Sequence, residues 1–263
     1  MLRPVELNLE SRRILVATAL IVFGSIALLA FLDVFVNHYR WTDVGALRRL
    51  VNITREDSIS NWFSALLLLS SGGICFLIAL AYKSIGIAGV SGRRRVWGWT
   101  GIALFFSYMG FDDGTRFHER MGTAFGSWVY SDAELRPDAP RILDYFPSYE
   151  WQVLFGPLFV LVGLAMLVFL WRELKASGQR MSLLAAFSLY GCAVVLDFVE
   201  GLASSPYRVP AAFFATSEGT VGHMSKLVEE SMEMAGTGIF LLLFLGCLFR
   251  VAGSWRIRID GRS

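Results

Sequence analysis

His223–Phe249, HMSKLVEESMEMAGTGIFLLLFLGCLF, is the stretch whose reading decides the fold. Its second half is apolar enough for hydrocarbon, yet its first half carries His223, Lys226, Glu229, Glu230 and Glu233. Only Met234–Phe249 separate Glu233 from Arg250, about 24 Å of helix against a hydrocarbon thickness of about 30 Å. A helix that crosses a bilayer here must carry Glu233 below the surface. On such a helix His223, Lys226 and Glu230 share one stripe, with Glu229 and Glu233 beside it at a spacing of four.

Working outward, the 263 residues are 55% hydrophobic and 17% charged with a mean hydropathy of +0.53, a balance far from that of a soluble domain. Apolar runs at about 14–36, 61–82, 96–112, 151–171, 181–200 and 222–250 are long enough to cross a membrane. No dyad alternation suggests a barrel, and an apolar span must satisfy its own backbone, so the expectation is all-α: one polytopic transmembrane bundle of about six spans over 1–263. The third span is expected to extend to about 121, followed by a long outer loop over 113–150. The first run begins after Arg12 and Arg13, lacks a small-residue cleavage pattern, and reads as a retained anchor. Cys75, Cys192 and Cys247 stand singly within spans, which suggests small core hydrophobes and neither a disulfide framework nor a thiolate site.

With the N-terminus inside, the segments 1–13, 83–95, 172–180 and 250–263 carry 14 of the 24 Lys and Arg. The bias predicts cytoplasmic termini. Of the 22 Asp and Glu, only Glu6, Glu10, Glu173 and Asp260 fall on that side, so the polar chemistry gathers at the outer ends. The net charge of +2 gives no reason to expect nucleic acid as a partner.

Two further groups of ionisable residues lie at outer ends of spans. GFDDGTRFHER, Gly110–Arg120, places Asp112, Arg116 and Glu119 on nearly one line of a continuing helix, with His118 about a third of a turn away. LDFVEGL places Asp197 and Glu200 on one face at the end of the fifth run. Asp33 and His38, closing the first run, read as interfacial. A charge at the centre of a membrane helix costs about 2.5–3.5 kcal/mol, so acids on three helices are expected to meet around something positive. Carboxylates with one or two imidazoles and no thiolate suit Zn, Fe or Mn, and bundles hold such metals on inward Glu and His. Two imidazoles in acidic surroundings suit a cation better than a haem. The open alternatives are a metal-free network of protons and salt bridges, or solvated helix ends.

The segments Asp112-Asp113…His118-Glu119 and Glu229-Glu230…Glu233-Met234…Gly236, with Glu200 between them, resemble D-E-x(4)-H-E and E-E-x-x-E-M-x-G stretches of a group of uncharacterised bacterial polytopic membrane proteins. That resemblance implies a multi-pass protein of similar topology and brings no activity with it.

The expectation is therefore a bacterial inner-membrane protein with a site toward the periplasm. His118, Glu119, Glu200, Glu229 and Glu233 are the expected ligands of a divalent metal. Glu230 and His223 are the catalytic proton carriers, and Asp112, Arg116, Asp197 and Lys226 are charge partners. Its partners would be membrane lipids, with a lipid or other membrane-embedded small molecule as substrate. Two alternatives stand beside this enzyme: a proton or cation transporter using the acids as a relay, and an accessory subunit of a membrane complex or homo-oligomer, with the polar cluster as glue between helices.

Overall fold

The computed structural model describes residues 10–85, 90–131, 143, 146–202 and 205–252. Every regular element among them is helical. In chain order these are α1 (Ser11–Asp33), running into a π-helical turn Val34–His38, then α2 (Gly45–Val51), α3 (Ile59–Ser84), α4 (Val90–Thr115), α5 (Phe117–Ser131), α6 (Glu150–Glu173), a 3-10 turn Lys175–Ser177, α7 (Arg180–Glu200), α8 (Arg208–Phe213) and α9 (Glu218–Ala252). Five stretches are long and apolar enough to cross a membrane: Ser11–His38, α3, α6, α7 and Glu218–Val251 of α9. α4 is as long as α3, but Arg93–Arg95 and Asp112–Asp113 bracket its apolar stretch Val96–Phe111.

α3 and α9 form the centre. α4 packs on α3, while α1, α3 and α7 pack on α9. The apolar stretches of α3 and α9 are 50% and 61% buried, against 11% for α6, so α6 is a peripheral wall. Glycines set the close seams: a Cβ on Gly72 would lie 3.0 Å from the Ala103 carbonyl, and one on Gly110 3.1 Å from that of Ala65. Both positions bring the backbones of α3 and α4 together, as small residues do between membrane helices. Gly72→Val is expected to force these helices apart and to cost about 1–3 kcal/mol, read as a lower midpoint of thermal unfolding in detergent.

The expected extension of the third span to 121 is corrected by the structure. α4 stops at Thr115, Arg116 adopts a left-handed φ of 53°, and α5 starts in a new direction at Phe117. The break is held by Asp112: its Oδ1 accepts the His118 backbone N–H at 2.8 Å, and its carbonyl accepts that of Arg116 at 2.6 Å. The straight-helix alignment of Asp112, Arg116 and Glu119 therefore does not form. Within the expected loop 113–150, residues 117–131 form α5, which is too short to cross a bilayer and lies against α6, while 132–142 and 144–145 lie outside the described residues. Of the cysteines, Cys75 and Cys247 are buried as expected and Cys192 is exposed.

Between the ends of the bundle sits an aromatic core. The rings of Phe106 and Phe187 meet Phe240 at 5.4 and 5.3 Å, and Trp99 meets Phe244 at 5.7 Å; Trp99, Phe106, Phe240 and Phe244 are almost wholly buried. Edge-to-face packing of this kind leaves no space for water. On one side of it lies the basic end of the bundle, where, among the described residues, Arg95 pairs with Glu173 at 3.0 Å and Arg250 with Gln179 at 2.9 Å. The other side is hollow.

Candidate acidic cavity

The hollow is a cavity of about 610 Å³ between the ends of α3, α4, α6, α7 and α9, bordered by α5 and the segment before α3. Among the described residues its lining holds ten carboxylates, three permanent cations (Arg55, Arg116 and Lys226) and two histidines. All eleven residues singled out in the sequence line it: His118, Glu119, Glu200, Glu229, Glu233, Glu230, His223, Asp112, Arg116, Asp197 and Lys226. Sharing a wall is weaker than sharing a ligand sphere. Among the described residues, no three His, Cys, Asp or Glu side chains are gathered closely enough to hold a metal ion.

α9 supplies the largest share, because its polar residues recur over three turns on the face that α3 and α7 leave open. Lys226 is the local hub: its Nζ lies 2.7 Å from Glu229 Oε1, 3.7 Å from Glu200 Oε2 and 3.9 Å from Asp197 Oδ1. Glu229 is 3% exposed, and its Oε2 has no hydrogen-bond partner among the described residues. Asp197 is held from the other side by Gln152 Nε2 at 2.8 Å. Glu230 and Glu233 line the cavity below this hub, and the Thr237 hydroxyl, at 2.5 Å from the Tyr190 phenol, marks the floor. Across the cavity, Arg116 ties Glu119 to Glu56, the latter at 2.7 Å.

Each histidine is fixed by a buried aspartate. His118 Nδ1 bonds to Asp112, which is 1% exposed, and its ring stands edge-on to Trp151 at 4.6 Å. His223 Nε2 lies 2.7 Å from Asp33 Oδ2. The interfacial reading of Asp33 is thus corrected: it is fully buried, and its other oxygen accepts Asn37 Nδ2 at 2.8 Å and the Ile53 N–H at 3.3 Å. The π-helical turn directly after Asp33 resets the helix phase there, and Ile53 is buried against it. One sequence signal pointed that way, an acid and an amide four residues apart at the end of an apolar run. Asp113, Glu56, Glu150 and Tyr190 are further lining residues that the sequence reading left out of the site.

Of the described cavity-lining groups outside the spanning helices, Glu119 and Tyr149 show shifted acidity. Burial raises the Glu119 carboxyl above the usual range, against the pull of Arg116 and His118. Burial, with Glu200 and Asp197 nearby, pushes the Tyr149 phenol up to about 12, so it keeps its proton and remains a donor. The arrangement can therefore bind positive charge, hold protons on carboxylates and pass them between acids and imidazoles.

No curated protein and no solved structure matches the chain. A family model described as a domain of unknown function, DUF8692, matches residues 9–248, and the chain belongs to that family.

Proposed function

We propose that the protein is a six-span bacterial inner-membrane protein, with cytoplasmic termini, that uses a divalent metal in the periplasmic cavity to act on a lipid or other membrane-embedded small molecule. The observation that carries this reading is the charge balance: among the described residues, ten carboxylates face three permanent cations around one cavity. Such an excess in a partly desolvated hollow demands a compensating cation or retained protons. The aspartate-held histidines favour the cation. Metal-bound imidazoles commonly have their second nitrogen fixed by a carboxylate, which is how Asp112 holds His118 and Asp33 holds His223.

His118, Glu119, Glu200, Glu229 and Glu233 are the proposed ligands, drawn from the three helices α5, α7 and α9, and their side chains would have to swing closer together to hold an ion. Zn, Fe and Mn fit the donor set. The metal would supply Lewis acidity or redox capacity. Glu230 and His223 move the proton, and Lys226 keeps Asp197, Glu200 and Glu229 from repelling one another. A conducting path is disfavoured by the aromatic core, which shuts the cavity from the opposite end.

Elemental analysis of the detergent-purified protein tests the reading. Stoichiometric metal is expected in the unaltered chain, with most of it lost in Glu233→Ala and His118→Ala; a metal-free protein after incubation with Zn, Fe(II) and Mn overturns it. Protons compete with metal for carboxylates, so occupancy should fall as pH falls. Because Glu119 holds its proton to higher pH than an exposed glutamate, release should begin above the ordinary carboxylate range, as equilibrium dialysis across a pH series would show.

A further inference from the structure

The wall between α6 and α7 is incomplete. On α6, Gln152 reaches α7, whereas Phe159 lines the cavity with its ring against Phe105 and Tyr108 of α4 and His118 of α5. At the cavity end the two helices are tied by Gln152 and Asp197; toward the opposite end Met166 and Leu170 join Leu183 and Ala186 in the core. Between these closures a Cβ added at Gly156, Gly163 or Gly191 meets nothing within 4 Å, whereas one at Gly72, Gly110 or Gly236 is crowded by a neighbouring helix. Gly191 and Val194 lie on the face of α7 that carries Phe198, which α6 and its lead-in contact through Ser148 and Phe146. Val194 is 51% exposed and yet lines the cavity. Val194 of α7 and Phe159 of α6, both in the cavity lining, therefore flank a slot from the cavity to the outer surface of two membrane-spanning helices.

What passes through is set by the chemistry at both ends. The slot is walled by glycine, valine and phenylalanine and faces hydrocarbon, which suits one alkyl chain. The cavity behind it would stay rich in carboxylates even with one divalent ion bound, and the Oε2 of buried Glu229 is an acceptor without a donor among the described residues. A phosphate head would face uncompensated negative charge. A protonated amine would find acceptors, and the rings of Trp151 and Tyr149 in the lining add faces on which a cation can rest. We propose that the cavity takes the amine head group of a single-chain amphiphile that reaches it from the bilayer through the α6–α7 slot. This rests on the proposal above for the site's role as a reaction centre, and it narrows the substrate class.

The experiment uses the full chain in phosphatidylcholine nanodiscs, with labelled hexadecylamine and hexadecyl phosphate measured over protein-free discs, and metal content determined on the same samples. Saturable hexadecylamine binding is expected, at least about tenfold tighter than that of hexadecyl phosphate. Val194→Trp and, independently, Gly191→Phe should each weaken it about tenfold or more while leaving the metal content and thermal midpoint unchanged. Gly191→Phe builds into open space, so loss of folding does not confuse the result. Equal binding of the phosphate, or undiminished amine binding in both variants, overturns the inference. Stoichiometric metal without saturable amine binding sinks this inference alone; amine binding by a metal-free chain sinks the metal reading alone.

Discussion

Lys226→Met is expected to lower the stability of the folded protein by about 3–5 kcal/mol, the scale on which removing one partner of a buried ion pair destabilises a protein. The Lys226 side chain is 24% exposed, and it neutralises Glu229, whose side chain is 4% exposed, together with Asp197 and Glu200 from a second helix. Without the ammonium, Glu229 must either take up a proton or remain as an uncompensated charge beside three other acids. The loss should be partly repaired by adding Glu229→Gln, because that substitution removes the stranded charge. A coupling of about 1 kcal/mol or more between the two substitutions, read from denaturant or thermal unfolding in detergent, is the expected result. Strict additivity would show that the Lys226–Glu229 contact contributes nothing to the fold.

Asp33→Leu should be nearly as damaging. Asp33 is the shared acceptor for His223 on α9, Asn37 on the π-helical turn and the backbone of Ile53. Three donors lose their partner at once, each at a cost of about 1–3 kcal/mol if it stays buried. The expected outcome is a lower unfolding midpoint together with faster proteolysis across the segment from Tyr39 to Asp57, since that segment is docked through Ile53. Asp33→Asn separates the two effects. Its carbonyl still serves Asn37 or Ile53, while its amide can face His223 only as a donor. The imidazole must then accept at Nε2 and carry its proton at Nδ1. Nitrogen-15 spectra of the labelled histidine ring should show this change of tautomer with most of the stability retained; an unchanged tautomer would mean that Asp33 does not orient His223.

The long apolar runs were legible because period, length and composition agree in α1, α3, α6, α7 and α9. The gathering of the acids was legible for a related reason: acids inside or just outside such runs are costly unless they meet, and Asp112, Asp197, Glu200, Glu229 and Glu233 do line one hollow. The break at Arg116 was not. A left-handed φ is normally the province of Gly or Asn, and here an arginine adopts it because Asp112 captures the backbone and Glu56 and Glu119 capture the side chain. These are tertiary contacts with no local signature. Asp33 was misplaced for a similar reason, since its partner lies 190 residues away. The slot was hidden as well: glycines in α3 and α6 look alike in the sequence, and only the packing shows that some are pressed against a neighbour and others face open space.

The rings of Trp99, Phe106, Phe240 and Phe244 have a consequence for how the protein reads its surroundings. A hydrated hollow sealed at its base exchanges ions with a single compartment. On the proposed function, acidification or metal starvation on the side the cavity faces would reach its carboxylates directly, while the same change across the bilayer would go unregistered.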